Sequence, residues 1–354
     1  MTDKIVKIIG DIINPASGKS LSFESRILGI DRDETSIKIK YGREFISPAN
    51  KEIIEADIKK QLTAYYRPKQ ISIIAVNRSS AKSNPTPSNG KTPNNKKRIP
   101  GVKKVIGVSS AKGGVGKSTV AVNLAFALKN MDKKVGLVDA DIYGPSLPIL
   151  LGKKSAKPTG NADKKIIPIN AHGVPFISFG LFIGEKDPVI WRGPMLGGVL
   201  NQFLFDVIWE DLDYMIIDLP PGTGDMQLSL GQMAEVDGVL TVSTPQDVAL
   251  LDAKKGLLMF QKLQIPSLGL IENMSYFITP DSSKKYFIFG KGGVKKAAKE
   301  LKVNFLGDIP LEMTLRESCD EGIPYMAQSV YENQPVWKSY MEIAQKIDKM
   351  MKNK

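Results

Sequence analysis

The 354-residue chain has a single cysteine, Cys319, and a single histidine, His172. A lone thiol excludes an intramolecular disulfide and fits a reducing compartment. A lone histidine leaves no second site for a histidine-dependent nucleophilic or acid–base triad, and within Asn170-Ala-His-Gly-Val-Pro175 it reads as a loop residue. No stretch reaches the roughly 18 apolar residues that a spanning helix needs. The start, Met1-Thr-Asp-Lys-Ile-Val-Lys7, lacks the long apolar segment of a secretory leader. These absences predict a soluble, cytoplasmic protein with no membrane role.

Acidic residues are missing from one region in particular. Between Arg78 and Lys104 there are eight basic residues and no acid, which accounts for much of the formal charge of +12. Charge blocks of this kind are usually solvated linkers. No zinc-finger spacing or aromatic-rich RNA-binding motif accompanies it, so no specific nucleic-acid partner is expected. From Asn77 to Gly101 the composition is Asn, Ser, Pro, Thr, Gly and Lys, too poor in apolar side chains to offset its ordering entropy.

That stretch divides the chain into three parts: residues 1–76, a basic linker 77–101, and residues 102–354. The first reads as a small α/β module. Thr35–Tyr41 alternates as a half-buried strand, Glu52–Leu62 carries Ile53, Ile54, Ile58 and Leu62 on a helix, and Gln70–Val76 reads as a final strand. After residue 102 short apolar strands alternate with helices: Val105–Ser109, a helix Ser118–Asn130 with Val120, Leu124, Ala127 and Leu128 on one face, Lys134–Asp139, Tyr214–Asp218, Gly238–Ser243 and Ser267–Ile271. This pattern predicts a mostly parallel, doubly wound sheet covered on both faces. Gln334–Lys352 closes it as an amphipathic helix whose buried stripe is Val336, Trp337, Tyr340, Ile343, Ala344 and Ile347.

Directly after the first of these strands comes Ala111-Lys-Gly-Gly-Val-Gly-Lys-Ser-Thr119. It matches the phosphate-binding loop of P-loop nucleotidases, except that Ala111 replaces the usual first glycine. Gly113, Gly114 and Gly116 let the backbone curl so that successive N–H groups face phosphate oxygens. Lys117 would reach the β- and γ-phosphates, and the Ser118 hydroxyl would ligate Mg²⁺. Asp218 ends an apolar strand and precedes Leu-Pro-Pro-Gly-Thr-Gly-Asp225, the place for a magnesium-organising carboxylate and a loop that senses the γ-phosphate. Asp139 and Asp141 end the second strand. One would orient attacking water and the other a metal-bound water, or either would cap a following helix.

The run Lys112-Gly-Gly-Val-Gly-Lys-Ser-Thr119 resembles the deviant loop of the ParA, MinD and nitrogenase-iron-protein class. There, the early lysine reaches across a dimer interface to the partner's nucleotide. Asp139-Ala-Asp-Ile-Tyr-Gly-Pro-Ser146, Trp191-Arg-Gly-Pro-Met195, Asp218–Asp225, Thr244-Pro-Gln246 and Glu272-Asn-Met-Ser-Tyr-Phe277 resemble the Mrp/ApbC branch of iron–sulfur cluster carrier ATPases. The resemblance implies a slow, magnesium-dependent ATPase acting as a homodimer. It makes Lys112, Lys117 and Asp141 the catalytic candidates, with Ala111–Thr119 around the phosphates. Ser118, Asp139 and Asp218 would serve the metal, directly or through water, with Asp139 in its outer shell. Asn273 looks like the adenine-recognising asparagine, whose amide can both donate and accept and so favours ATP over GTP. The first module resembles a small domain linked to iron–sulfur assembly, although the expected Asp-Pro-Glu reads Asn14-Pro-Ala16.

One departure bears on cargo. The branch places a Cys-x-x-Cys pair after the Asn-Met-Ser-Tyr-Phe run, and here those positions are Thr279-Pro-Asp-Ser282. Hydroxyls are poor ligands for iron–sulfur clusters. Cys319 lies far downstream and reads as a small residue near a helix end. Three functions follow: a carrier that passes clusters to recipient apoproteins, a cluster-free nucleotide-dependent switch or scaffold among assembly factors, or a ParA- or MinD-like positioning ATPase.

Overall fold

The computed structural model describes residues 2–15, 19–22, 26–32, 36–42, 46, 48–76, 96–182, 193–279 and 284–352. The chain forms two compact units, Met1–Thr92 and Pro93–Lys354. The first contains helix α1 (Thr2–Gly10), strands β1 (Ile27–Arg32) and β2 (Ile37–Gly42), helix α2 (Pro48–Leu62) and strand β3 (Ile71–Val76). β1 pairs antiparallel and β3 parallel with β2. Ile5, Ile9, Leu21, Ile37, Ile39 and Tyr41 meet Ile54, Ile58 and Leu62 of α2 in a separate apolar core. Ile53, placed by the sequence among the buried residues of this helix, is instead 48% exposed. Positions 54, 58 and 62 recur every four residues on one stripe, and position 53 lies about 100° off it.

The second unit is built on a nine-stranded sheet. In chain order its main elements are β4 (Val102–Ser110), α3 (Lys117–Lys129), β5 (Val135–Asp139), β6 (Ile169–Ala171), β7 (Val174–Ser178), α4 (Gly193–Phe205), β8 (Leu212–Asp218), α5 (Asp225–Met233), β9 (Gly238–Ser243), α6 (Asp247–Lys262), β10 (Ser267–Ile278), β11 (Lys285–Tyr286), α7 (Gly293–Glu300), β12 (Phe305–Leu311), α8 (Met313–Glu321) and α9 (Pro335–Lys352). Spatially the order is β6-β7-β5-β8-β4-β9-β10-β11, with β12 also beside β10. The pairings are parallel except β6 with β7 and β10 with β11. The mostly parallel sheet expected from the sequence is therefore present.

Two packing features differ from the sequence reading. The helix after the phosphate loop is buried on more than one face: Ala121, Val122, Ala125 and Phe126 are covered as well as Val120, Leu124, Ala127 and Leu128. Helix α3 is packed between the sheet and α9, so its second face is covered by a helix more than two hundred residues later. The segment just before residue 102 is also part of the unit. Lys97 bridges to Ala234, the Lys96 ammonium donates to the Leu263 carbonyl at 2.7 Å, and Ile99 is buried. A lone isoleucine among Lys, Arg and Pro gives no periodic signal, which is why composition alone assigns it to the linker.

The stripe expected on the last helix is buried as read: Val336, Trp337, Tyr340, Ile343, Ala344 and Ile347 face the core, joined by Asp348 and Met351. Among the described residues no helix is long and apolar enough to cross a membrane.

Candidate functional site

Register decides where the chemistry collects. Asp218 pairs with Asp139 of β5 on one side and with Val108 of β4 on the other. Both carboxylates thus arrive at the sheet edge from which Ser110 leads into the phosphate loop. That loop ends at Gly116, whose left-handed φ of 79° caps α3 with no side chain on the helix's first N–H groups. An uncapped helix start behind a glycine loop is an anion site by construction. Added Cβ atoms at Gly113 and Gly114 would meet nothing within 4 Å, so the mouth is open. At Gly116 a Cβ would fall 2.3 Å from Asn273 Nδ2.

The cleft holds about 310 Å³ and is lined by the loop together with Asp141, Gly144, Ser146 and Pro221. At its floor the buried Lys117 ammonium donates to Asp218 Oδ1 at 2.6 Å and to Ser118 Oγ at 3.1 Å, and lies 3.5 Å from Asp141 Oδ2. Asp218 Oδ2 and Asp141 Oδ1 are buried without a hydrogen-bond partner. Two orphaned carboxylate oxygens beside a serine hydroxyl and a phosphate loop suit Mg²⁺, which takes one or two carboxylates plus phosphate oxygens. Burial pushes the Asp218 carboxyl above its ordinary range, against the pull of Lys117. Asp139 is pushed up to about 7, first by burial and then by the charge of Asp218.

Asp139 does not face the cleft in the same way. Its Oδ1 accepts the Asp141 N–H at 3.1 Å, and its Oδ2 accepts Ser178 Oγ at 2.8 Å and the Leu147 N–H at 3.1 Å. It fixes the peptide that presents Asp141 and holds the first N–H of the short helix Leu147–Leu150. Lys112 has no ion-pair partner among the described residues. Its carbonyl accepts the Ser110 hydroxyl at 2.8 Å, and its side chain lines the open mouth.

Asn273 lies against the loop, donating from Nδ2 to the Val115 carbonyl at 2.8 Å. The next residue, Met274, has φ 55°, an uncommon conformation for a side chain of this kind, within a strand already bulged between Asn273 and Phe277. Glu272 accepts the Val294 N–H at 2.9 Å, and burial raises its carboxyl. Motif Glu272–Phe277 is thus the joint between the loop and helix α7.

Of the cysteine-replacing positions, Thr279 is described, while Pro280–Ser283 and the Trp191-Arg192 pair lie outside the described residues. Cys319 is in α8, its Sγ 3.8 Å from Thr119 Oγ1, and burial raises its pKa, which keeps it a thiol. Sequence distance hid this closeness to the loop. His172 sits with Gly173 in the two-residue turn between β6 and β7. Among the described residues no cluster of three His, Cys, Asp or Glu could hold a metal by itself. A larger cavity of about 570 Å³ lies away from the carboxylates. Its lysines are committed: Lys129 to the His172 carbonyl, Lys133 to Asp348 and Lys134 to Asp211.

A central strand, a glycine loop and a helix opening on buried lysine and aspartates define a P-loop nucleotide-binding protein. Residues 101–348 match the ParA family described as NUBPL iron-transfer P-loop NTPase, and the chain belongs to that family. It is 46% identical over 256 residues to the iron–sulfur cluster carrier protein of Aquifex aeolicus, covering 72% of this chain and 70% of that one. It is 47% identical over 253 residues to the Arabidopsis thaliana iron–sulfur protein required for NADH dehydrogenase, mitochondrial, covering 71% and 80%. Among solved structures, an Archaeoglobus fulgidus nucleotide-binding protein in complex with ADP superposes with a TM-score of 0.59 at 34% identity, over 69% of this chain and 94% of that one.

Proposed function

We propose that the second unit binds and slowly hydrolyses MgATP as a homodimer, and that this cycle serves the transfer of iron–sulfur clusters to recipient apoproteins. The observation that carries the nucleotide chemistry is the buried Lys117, held between Asp218 and Asp141 with an unpartnered oxygen left on each carboxylate. Lys117 neutralises both aspartates. With ATP in the loop, the ammonium turns to the β- and γ-phosphates. Ser118 and Asp218 would hold Mg²⁺, which would supply charge neutralisation on the phosphate oxygens. Asp141, fixed through its peptide by Asp139, orients the attacking water. The backbone of Ala111–Thr119 cradles the phosphates, and Asn273 is the candidate for the adenine edge. Lys112, half-buried beside the mouth and without an ion pair among the described residues, would meet the nucleotide of a second copy. Positioning and electrostatics are all that such phosphoryl chemistry asks of a protein.

Cluster handling is supported by family membership and by the iron–sulfur roles in the names of the relatives. A second reading, a cluster-free switch or scaffold among assembly factors, is favoured by one observation: Thr279 and Ser282 stand where the branch places thiolates. Iron and acid-labile sulfide per chain after anaerobic reconstitution separate the two, with Cys319→Ala as control. Cluster retained by the native chain and lost in the variant supports a carrier that ligates through Cys319. Cluster retained in both would mean ligation without protein thiols. A folded, ATP-binding sample with no cluster would overturn the carrier reading in favour of the scaffold.

A further inference from the structure

The loop that leaves Asp218, Leu219-Pro-Pro-Gly-Thr-Gly224, is held by a side chain that the nucleotide chemistry above does not use. Gln227, in the first turn of α5, is fully buried. Its Nε2 donates to the Pro220 carbonyl at 2.7 Å and to the Gly222 carbonyl at 3.1 Å. Two carbonyl acceptors fix which end of the amide is nitrogen. Its Oε1 is buried without a partner and lies 3.6 Å from where a Gly224 Cβ would stand.

The bonds continue beyond the loop. Gly222, at φ 90°, donates its N–H to the Ser110 carbonyl at 2.8 Å, and the Ser110 hydroxyl donates to the Lys112 carbonyl at 2.8 Å. Three hydrogen bonds, joined through the covalent backbone of Gly222 and Ser110, therefore link Gln227 to the peptide of Lys112. Prolines 220 and 221 have no N–H to donate, so the loop has few ways to tie itself down. A cavity of about 520 Å³ beside it, lined by Asp141, Tyr143, Leu196, Pro221, Asp225 and Gln227, leaves it room to move.

We infer that Gln227 is a positioning residue that sets the Pro220–Gly224 loop, and through it the Lys112 peptide, for ATP hydrolysis. This rests on the nucleotide reading given above. A residue serving only to fill space here would be apolar; the amide is there because the Pro220 and Gly222 carbonyls take its two N–H groups, at the cost of an unsatisfied oxygen. Gln227 touches no phosphate position: Lys117, Ser118 and the loop N–H groups bind the nucleotide without it. The inference therefore separates turnover from affinity.

The test is Gln227→Met in the full chain, which keeps the volume and removes the donor. The expected result is a kcat lower by about ten- to a hundredfold, with the Kd for MgATP within about twofold and Tm lowered by only a few degrees for the two lost hydrogen bonds. Lys112→Ala with Gln227→Met should lose less than the product of the two single losses, since both act on this linkage. Amide exchange at Gly222, read by hydrogen–deuterium exchange, should be faster in Gln227→Met. A native kcat in this variant, or losses of kcat, affinity and Tm in proportion, would overturn the inference. If the native chain binds MgATP without hydrolysing it, the hydrolytic reading falls instead. The exchange rate at Gly222 then decides alone, and an unchanged rate sinks the clamp.

Discussion

At the residue scale, Lys117 carries two opposed duties, and substitution exposes both. Lys117→Ala should abolish measurable MgATP binding by titration calorimetry. It should also cost about 3–5 kcal/mol of stability, because Asp218 and Asp141 are left as buried carboxylates without their cation. Adding Asp218→Asn should recover much of the stability and none of the binding, and native affinity in either variant would remove Lys117 from the site. Gly116→Ala is a different lesion. The position is left-handed and its Cβ would meet Asn273, so it should lose about 1–2 kcal/mol from backbone strain and push the asparagine off Val115. Lys112→Ala touches neither fold nor floor. It should leave Tm and nucleotide affinity near native while lowering turnover, and normal turnover by monomers of that variant would exclude a role across a dimer interface.

At the element scale, the last helix is joined to the sheet by more than apolar contact. Tyr214 of β8 donates its hydroxyl to Asp348 of α9 at 2.7 Å, with Lys133 and Lys352 near the same carboxylate. Burial pushes Asp348 up, but Lys352, the Tyr214 hydroxyl and Lys133 outweigh it and hold the carboxyl below its ordinary value of 3.8. A depressed carboxyl stabilises the fold above the unfolded value and loses that contribution as pH falls through the folded one. Tyr214→Phe should therefore cost about 1.5–3 kcal/mol near neutrality, the worth of a bond to a charged group. The gap from the native chain should close as pH drops below about 4; an equal gap in acid would mean that the ring, not the bond, matters.

The same scale shows what the sequence made legible. The apolar runs ending at Ser109, Asp139 and Asp218 and the stripe on α9 are readable because regular periodicity and burial coincide there, although the first strand runs from Val102 to Ser110. Strand β10 was read only to Ile271, because Glu272, Asn273 and Ser275 interrupt the apolar run, yet each has a backbone partner that admits it to the sheet. The double burial of α3, the place of Ile99 and the contact of Cys319 with Thr119 depend on elements far away in sequence, which local pattern does not report. In the loop, residue types revealed the phosphate chemistry, but only coordinates separate Asp139, with both oxygens engaged, from Asp141 and Asp218, each with one left over.

At the scale of the whole molecule, each unit carries its own buried apolar residues among those described, which gives each a stability of its own. Cleavage between residues 77 and 95 should leave the Pro93–Lys354 unit with the nucleotide affinity and the melting transition it has in the intact chain. A large drop in either would make the units thermodynamically coupled.

Helix α9 has a consequence for how the protein is born. A ribosome delivers α3 about two hundred residues before the helix that shields its outer face. Throughout that interval the nascent nucleotide unit presents an uncovered apolar flank while the first unit has already emerged and can fold. A nonsense mutation just upstream of Pro335 would thus keep every residue proposed to meet the nucleotide and still yield a chain fit mainly for chaperones and proteases.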